Sequence, residues 1–303
     1  MAREEKSVTV INSVSELHRM LMLPPPKNTQ VTLIHHKDEP PQNQPVERLV
    51  LNFYQICVKR NFKGQFKYGR NYYDFDKGTM TFSAPHQVIS VDQGNERDSE
   101  GWSLMFHPDL IRNYPLGKNI KNYGFFSYDV NEALHLSDDE EKLIEGLVDN
   151  IRTEYESRLD NFSADVIVSN LELLLNYCNR FYSRQFVTRK MANNDLLTKF
   201  EQVLSKYFDD DMTLGLPTAS SLASELGISS SYLGDMLRTL TGQNTQQHIH
   251  EKLIEKAKQK LATTNLSVSE IAFMLGFEYP QSFSKLFKSK LNMSPLEYRH
   301  SYS

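Results

Sequence analysis

LASELGISSSYLGDMLRTLTG (Leu222–Gly242) and, further along, IEKAKQKLATTNLSVSEIAFMLGFEYPQSFSKLFKSKLNMSPLEYR (Ile254–Arg299) carry the same local plan twice. Ala223-Ser-Glu-Leu226-Gly227-Ile228 recurs 49 residues later as Ala272-Phe-Met-Leu275-Gly276-Phe277. In each copy a helix turns its Ala and Leu inward, the glycine takes the left-handed backbone that ends it, and the next apolar residue plugs the turn. A second helix follows both times. In the first copy it runs from about Ser229 and is expected to bury Leu233, Met236 and Leu237; in the second it starts near Pro280 and is expected to bury Phe283, Leu286 and Phe287. These are two helix-turn-helix units, and the steep crossing leaves the outer face of each second helix free.

Cap chemistry marks the element ends. Ser267 with Glu270 opens a helix, Pro280 suits a first helical position, and Ser294-Pro295-Leu-Glu297 opens a terminal one. Between the units, residues 245–263 read as one helix with Ile249, Leu253, Ile254, Ala257 and Leu261 on its buried side. At 1.5 Å per residue such a spacer is about 28 Å long, close to the roughly 34 Å between adjacent major grooves on one face of DNA.

Turns, caps, spacer and the final Ser-Pro-Leu-Glu-Tyr together resemble the DNA-binding domain of the arabinose-regulator family, AraC/XylS, over about the last third of the chain. The resemblance implies a sequence-specific transcription regulator, more often an activator than a repressor, whose partners are double-stranded DNA, RNA polymerase, a second copy of itself and a small-molecule effector. It also implies that the second helix of each unit enters the major groove. The matching positions are Ser230, Ser231, Gly234, Asp235 and Arg238 in the first unit and Gln281, Ser282, Ser284, Lys285 and Lys288 in the second. Their chemistry is unequal. Gln pairs bidentately with adenine, Lys reaches guanine or phosphate, and Ser serves either base. In the first unit Gly234 has no side chain to read with, and Asp235 repels phosphate unless it accepts from cytosine or from a neighbouring side chain; the latter is the expectation.

Upstream, residues 1–48 are polar and Pro-rich, which predicts an arm and extended loops, and the short aromatic and β-branched runs between Leu49 and Phe106 predict a small sandwich or barrel. Ser137 and Glu140 form a capping box before a helix carrying Ile144, Leu147 and Ile151. After a turn near Asp160, Ile167, Leu171, Leu174, Cys178 and Phe181 follow at coiled-coil spacing. This seam either packs on the β region or dimerises; in the family's light the pair is a dimerisation hairpin built from Ile144, Leu147, Ile151, Ile167, Leu171, Leu174 and Cys178, and the β region is a cupin-like sensor. The expected class is therefore α+β: arm and cupin-like domain over 1–136, helical hairpin over 137–183, linker over 184–194, and an all-α double helix-turn-helix domain over 195–303.

A cupin metalloenzyme needs two histidines spaced by one residue with a nearby Glu. Here His35 and His36 are adjacent and would face opposite ways on a strand, while His86 and His107 stand alone. No metal, cofactor or catalytic residue is expected. Phe53, Tyr54, Phe62, Phe66, Tyr68, Tyr72 and Tyr73 fit either a ligand pocket or a packed core, so the N-terminal part either senses an effector of unidentified chemistry or serves only for dimerisation or a protein contact. With 303 residues, 39% hydrophobic, and two widely separated cysteines, the composition is that of a folded two-part protein with reduced thiols; with no apolar run of membrane length it is expected to be cytoplasmic. The net charge of −4 argues against DNA, but from Thr213 onward nine basic residues face seven acidic ones. Phosphate attraction must then come from sorting charge by face.

Overall fold

The computed structural model describes residues 8–39, 48–60, 67–68, 71–72, 78–90, 100–129, 132–158, 160–188, 190–209 and 216–301. Two compact units divide the chain, Met1–Gln185 and Phe186–Ser303.

The first unit is a mixed sheet and helix domain. Its larger sheet has the order β10-β7-β4-β9-β2, formed by β2 (Val31–His35), β4 (Tyr54–Arg60), β7 (Thr79–Ser83), β9 (Glu100–Phe106) and β10 (Leu134–His135), all antiparallel. A smaller sheet pairs β1 (Val8–Ile11) in parallel with β3 (Arg48–Leu51), which in turn pairs antiparallel with β8 (Val88–Ser90). β5 (Lys67–Tyr68) and β6 (Asn71–Tyr72) form a short pair. The stretch expected as an arm and loops thus supplies β1, β2 and α1 (Val14–Met20), which Ser13 caps by accepting from Glu16 N–H at 3.2 Å. Pro24, Pro25 and Pro26 sit between α1 and β2, where no ladder or helical N–H is needed.

Register assigns each strand residue to a face. On one face Ile56 lies between Phe82 and Leu104, and Val58 between Met80 and Trp102. That face is the aromatic core: Tyr54 stacks on Phe106 at 5.1 Å, Phe82 meets Phe125 at 4.4 Å, and Phe125 stacks on Tyr182 at 5.5 Å. Tyr54 and the fully buried Phe53 are therefore packing residues. Phe62, Phe66 and Tyr73, and the side chains of Tyr68 and Tyr72, lie outside the described residues. The other face of the large sheet holds Ile34 and Met105, which pack with Ile11, Leu17, Leu51 and Phe53. Beside them runs a polar strip: Cys57 opposite Ser103 in register, with Gln55 and His36 alongside.

α4 (Asp138–Glu156) starts at the capping box of Ser137 and Glu140 and is anchored by Arg60, which pairs with Glu141 and with Glu145 at 2.5 Å, and by Trp102 Nε1 donating to Glu145 at 2.8 Å. α5 (Ser163–Thr188) is tied down within this unit by Gln185, whose side chain donates to Ala133 O at 3.1 Å and accepts from His135 N at 2.9 Å. Tyr182 donates to Glu132 O at 3.1 Å. Residues 184–194, expected as a linker, fall on the end of α5 and the start of α6 (Lys190–Asp209).

In the second unit α6 is followed by α7 (Ala219–Leu226), α8 (Ser230–Thr241), α9 (Thr245–Thr263), α10 (Val268–Met274), α11 (Pro280–Leu291) and α12 (Pro295–His300). α9 has the bounds expected of the spacer, and Ile249, Leu253, Ile254, Ala257 and Leu261 are all buried. Phe200, Leu204 and Phe208 of α6 are buried too, with Phe200 edge-on to His248 of α9 at 5.5 Å.

Candidate nucleic-acid interface

The duplication in sequence is a duplication of hydrogen bonds. After α7, Ile228 N–H donates to Ala223 O at 3.1 Å and Gly227 N–H to Ser224 O at 3.1 Å; after α10, Phe277 N–H donates to Ala272 O at 3.0 Å and Gly276 N–H to Phe273 O at 2.9 Å. Gly227 and Gly276 have φ of 69° and 80°. This is the same left-handed helix stop twice, and it aims the next helix by satisfying the orphan carbonyls of the previous one. Ala223, Leu233, Met236 and Leu237 are buried in the first unit, and Ala272, Phe283 and Phe287 in the second. Leu286, expected in the core, is half-buried and lines a small apolar crevice of about 70 Å³ with Phe277, Ile249 and Leu253.

Burial of those faces leaves the opposite faces outward. On α11, Gln281, Ser282, Lys285 and Lys288 are exposed and Ser284 is half-buried. Positions 281, 285 and 288 are spaced four and three, so they form one ridge beside Ser282. Among the described residues no carboxylate lies at ion-pair distance from Lys285, Lys288 or Lys290. On α8, Ser230 and Arg238 are exposed while Ser231 and Asp235 are half-buried. Arg238 Nη1 donates to Asp235 Oδ1 at 2.7 Å, so each answers the other's charge on the helix surface. Gly234 is half-buried, and a Cβ there would meet only Thr245 Oγ1, at 3.9 Å.

The helix starts are built differently. Thr218, Ser229, Asn244, Ser267 and Ser294 each accept a backbone N–H of the helix they precede, whereas Tyr279 before α11 makes no side-chain cap and is 60% exposed. Glu270 and Glu297 complete two of the boxes, and the backbone N–H groups of Ser267 and Ser294 hold their carboxyls below the usual range. The motif arginine Arg299 donates to Leu266 O at 2.5 Å and to Leu261 O at 3.3 Å, locking α12 onto the end of α9. No sequence spacing announces that role. Lys256, Lys258 and Lys260 lie half-buried along α9.

The seven residues expected at a dimer seam are all in the core of the single chain. Ile144, Ile151, Ile167, Leu171, Leu174 and Cys178 are fully buried, and Leu147 is 8% exposed. Burial pushes the Cys178 thiol well up, so it stays a neutral packing group.

Comparison with known proteins places the second unit. A family model described as "Helix-turn-helix domain" matches residues 222–301. "Histidine kinase P4" of Formosa agariphila is 32% identical over 106 residues, which is 34% of this chain and 8% of that one. "Regulatory protein SoxS" of Escherichia coli K12 is 34% identical over 79 residues, 26% of this chain and 74% of SoxS. Among solved structures, the C-terminal domain of the two-component response regulator yesN from Fusobacterium nucleatum is 33% identical, covering 33% of this chain and 93% of that one, with a TM-score of 0.30. The chain spans less than a tenth of the kinase and about three quarters of SoxS. The segment matched by the family model holds both repeated turns and the helices they aim, and the chain belongs to the AraC/XylS family of DNA-binding transcription regulators.

Proposed function

We propose that this regulator reads DNA principally through α11, with Gln281 and Ser282 addressing base edges, Lys285 and Lys288 addressing guanine or phosphate, and Ser284 at the margin. The observation that carries this is the exposed ridge of Gln281, Lys285 and Lys288, whose cations have no carboxylate at ion-pair distance among the described residues. α8 is the lesser reader: Ser230 and Ser231 reach the groove, while Arg238 is engaged by Asp235. The first unit acts as a cupin-like sensor. Its support is the polar strip of Gln55, Cys57, Ser103 and His36, with His36 Nε2 and Ser103 Oγ 3.1 Å apart. Burial first, then Lys59 and His35, lowers the His36 pKa to about 4. A neutral polar effector suits that strip, and its binding would shift the population of DNA-bound arrangements toward activation, with RNA polymerase as the downstream partner. The chain works as a homodimer. The test is binding of the intact chain to the DNA upstream of its own gene across a salt series. Affinity should fall steeply with salt and exceed that for unrelated duplex; equal affinity for both would overturn the reader assignment.

A further inference from the structure

The boundary between the two units falls inside a helix. Gln185 closes the first unit and Phe186 opens the second, and both belong to α5, which runs from Ser163 to Thr188. Each is core in its own unit: Gln185 is 1% exposed and Phe186 2%. In the first unit the last turns of α5 grip the segment 132–140. Gln185 donates to Ala133 O at 3.1 Å and accepts from His135 N at 2.9 Å, and Tyr182 donates to Glu132 O at 3.1 Å. Arg184 donates to His135 O at 2.8 Å and pairs with Glu140, its Nε 3.0 Å from Oε1. Leu134 and His135 form β10, in register with Met80 and Thr79 of β7. In the second unit the Phe186 ring lies 5.1 Å from that of Tyr232, edge-on at 71°. Tyr232 follows directly on Ser230 and Ser231 in the first turn of α8 and is 4% exposed.

The duplication supplies an internal control. α8 and α11 are both 12 residues long and start at Ser230 and Pro280, so Leu233, Met236 and Leu237 answer to Phe283, Leu286 and Phe287. By the same offset Tyr232 answers to Ser282, which is exposed. A helix-turn-helix unit therefore does not need a buried side chain at this position. In the first unit it is given over to an aromatic contact with the end of α5. α11 is braced by other neighbours: Phe283 lies 5.5 Å from Phe277, and Phe287 lies 5.5 Å from Tyr298.

We infer that the last turn of α5 is a coupling element, through which the 132–140 segment of the first unit sets the stability of the first turns of α8 and leaves α11 untouched. Gln185 and Phe186 are separated by about 1.5 Å along the helix axis and about 100° around it. No loop lies between them to absorb a displacement, so what moves one carries the other. Loss of the bonds made by Gln185 and Arg184 lets the end of α5 open locally. Phe186 then no longer backs Tyr232, and α8 leaves its packed pose more often. Selectivity follows from the duplication, because Ser282 has no ring to be backed. The inference rests on the reading of α8 and α11 as DNA readers only for its consequence, that the lesser reader is the one answerable to the first unit. The coupling itself is measured without DNA.

The experiment is hydrogen exchange of the full chain, read by mass spectrometry. Arg184→Ala and Gln185→Ala alter the first unit alone, and each should speed exchange over residues 232–237 about tenfold while residues 283–288 change by less than about twofold. Arg184→Lys, which keeps a cation beside Glu140, should recover most of the protection. Phe186→Ala should give the same pattern by itself, and Gln185→Ala added to it should change nothing further, because the path is already cut. Leu17→Ala, which opens the cluster of Ile11, Ile34 and Leu51 in the same unit, should leave both helices as in the parent. Arg184, with its side chain 35% exposed, can be replaced without opening the core, and unchanged far-ultraviolet circular dichroism shows that each variant folds. Unchanged α8 exchange in Arg184→Ala and Gln185→Ala, an equal rise in α11, or effects of Gln185→Ala and Phe186→Ala that multiply would each overturn the inference. DNA preference measured on the same samples reports separately on the reader assignment.

Discussion

Replacing Gly234 by Ala should stabilise the second unit by about 1 kcal/mol. Gly234 lies in the interior of α8 and, unlike Gly227 and Gly242 with φ of 69° and 78°, it has no positive φ that a side chain would strain. A methyl group there meets one atom, Thr245 Oγ1, at 3.9 Å, an ordinary van der Waals separation, so the steric cost is nil. What remains is the difference in helix propensity, about 0.8–1.0 kcal/mol. For a domain of this size that is a rise of about 4 °C in the unfolding temperature, measurable by calorimetry of the full chain. The substitution also probes the groove. With α8 the lesser reader, affinity for the cognate duplex should stay within about threefold of the parent, under 1 kcal/mol. A fall in stability would refute the reading of α8 as an unstrained helix at this point. A tenfold loss of affinity with stability raised would show that the α8 backbone is seated directly against DNA, and the ranking of the two helices would be wrong.

Gln281→Ala should change which base is preferred at one position of the site more than it changes overall affinity, costing about 1–3 kcal/mol of discrimination in a binding-selection assay. Lys285→Ala should weaken binding to all duplexes and lower the salt slope by about one, with a larger effect than Lys288→Ala; equal effects would mean that Glu297 answers none of the Lys288 charge. Asp235→Asn releases Arg238 from an exposed pair worth under about 1 kcal/mol, so unfolding should barely move while DNA affinity rises; a tenfold loss instead would mean that Asp235 accepts from a base. His36 is held neutral by its burial and by Lys59 and His35, with its pKa lowered to about 4. Between pH 6.5 and 4 the unfolded chain binds the proton and the folded one does not, so stability is complete above pH 6.5 and declines as pH falls toward 4. Equilibrium unfolding of His36→Gln should show a shallower decline over that window, and identical slopes would remove His36 from the account.

The second unit was legible because its signals are local. Caps, glycine stops and the i, i+3, i+4 spacing all lie within one turn of the residues they organise, so the bounds of α9 and the two Schellman turns follow from the string itself. The first unit was not, because β1 finds its partner some 40 residues away and β2 some 70, and nothing in VTVI or VTLIH states which strand will be opposite. Aromatic richness likewise cannot tell a pocket from a core: Tyr54 became a core residue only once register set it beside Phe106. For α5 the apolar period was readable, but a period of seven names a face and not what covers it. In Ile167, Leu171 and Leu174 the cover is the chain's own fold.

Charge by face also explains how a chain of net charge −4 can hold DNA. Five acidic residues of the second unit are engaged in its construction. Glu270 and Glu297 reach back to the backbone N–H groups of their own caps, Asp235 holds Arg238, Glu255 pairs with Lys252 at 3.0 Å, and Glu251 accepts from Gln243. None of these contacts engages a lysine of α11, so among the described residues the cations of that ridge have no carboxylate at ion-pair distance and present their field to whatever approaches. They are not equivalent. Lys288 is near enough to Glu297 to help hold its carboxyl down, so part of its charge is answered inside the chain. Lys285, one turn nearer the start of α11 and beside Gln281 and Ser282, has no carboxylate at ion-pair distance among the described residues, so on the function proposed above its charge is the one left for a phosphate or the acceptor edge of a guanine.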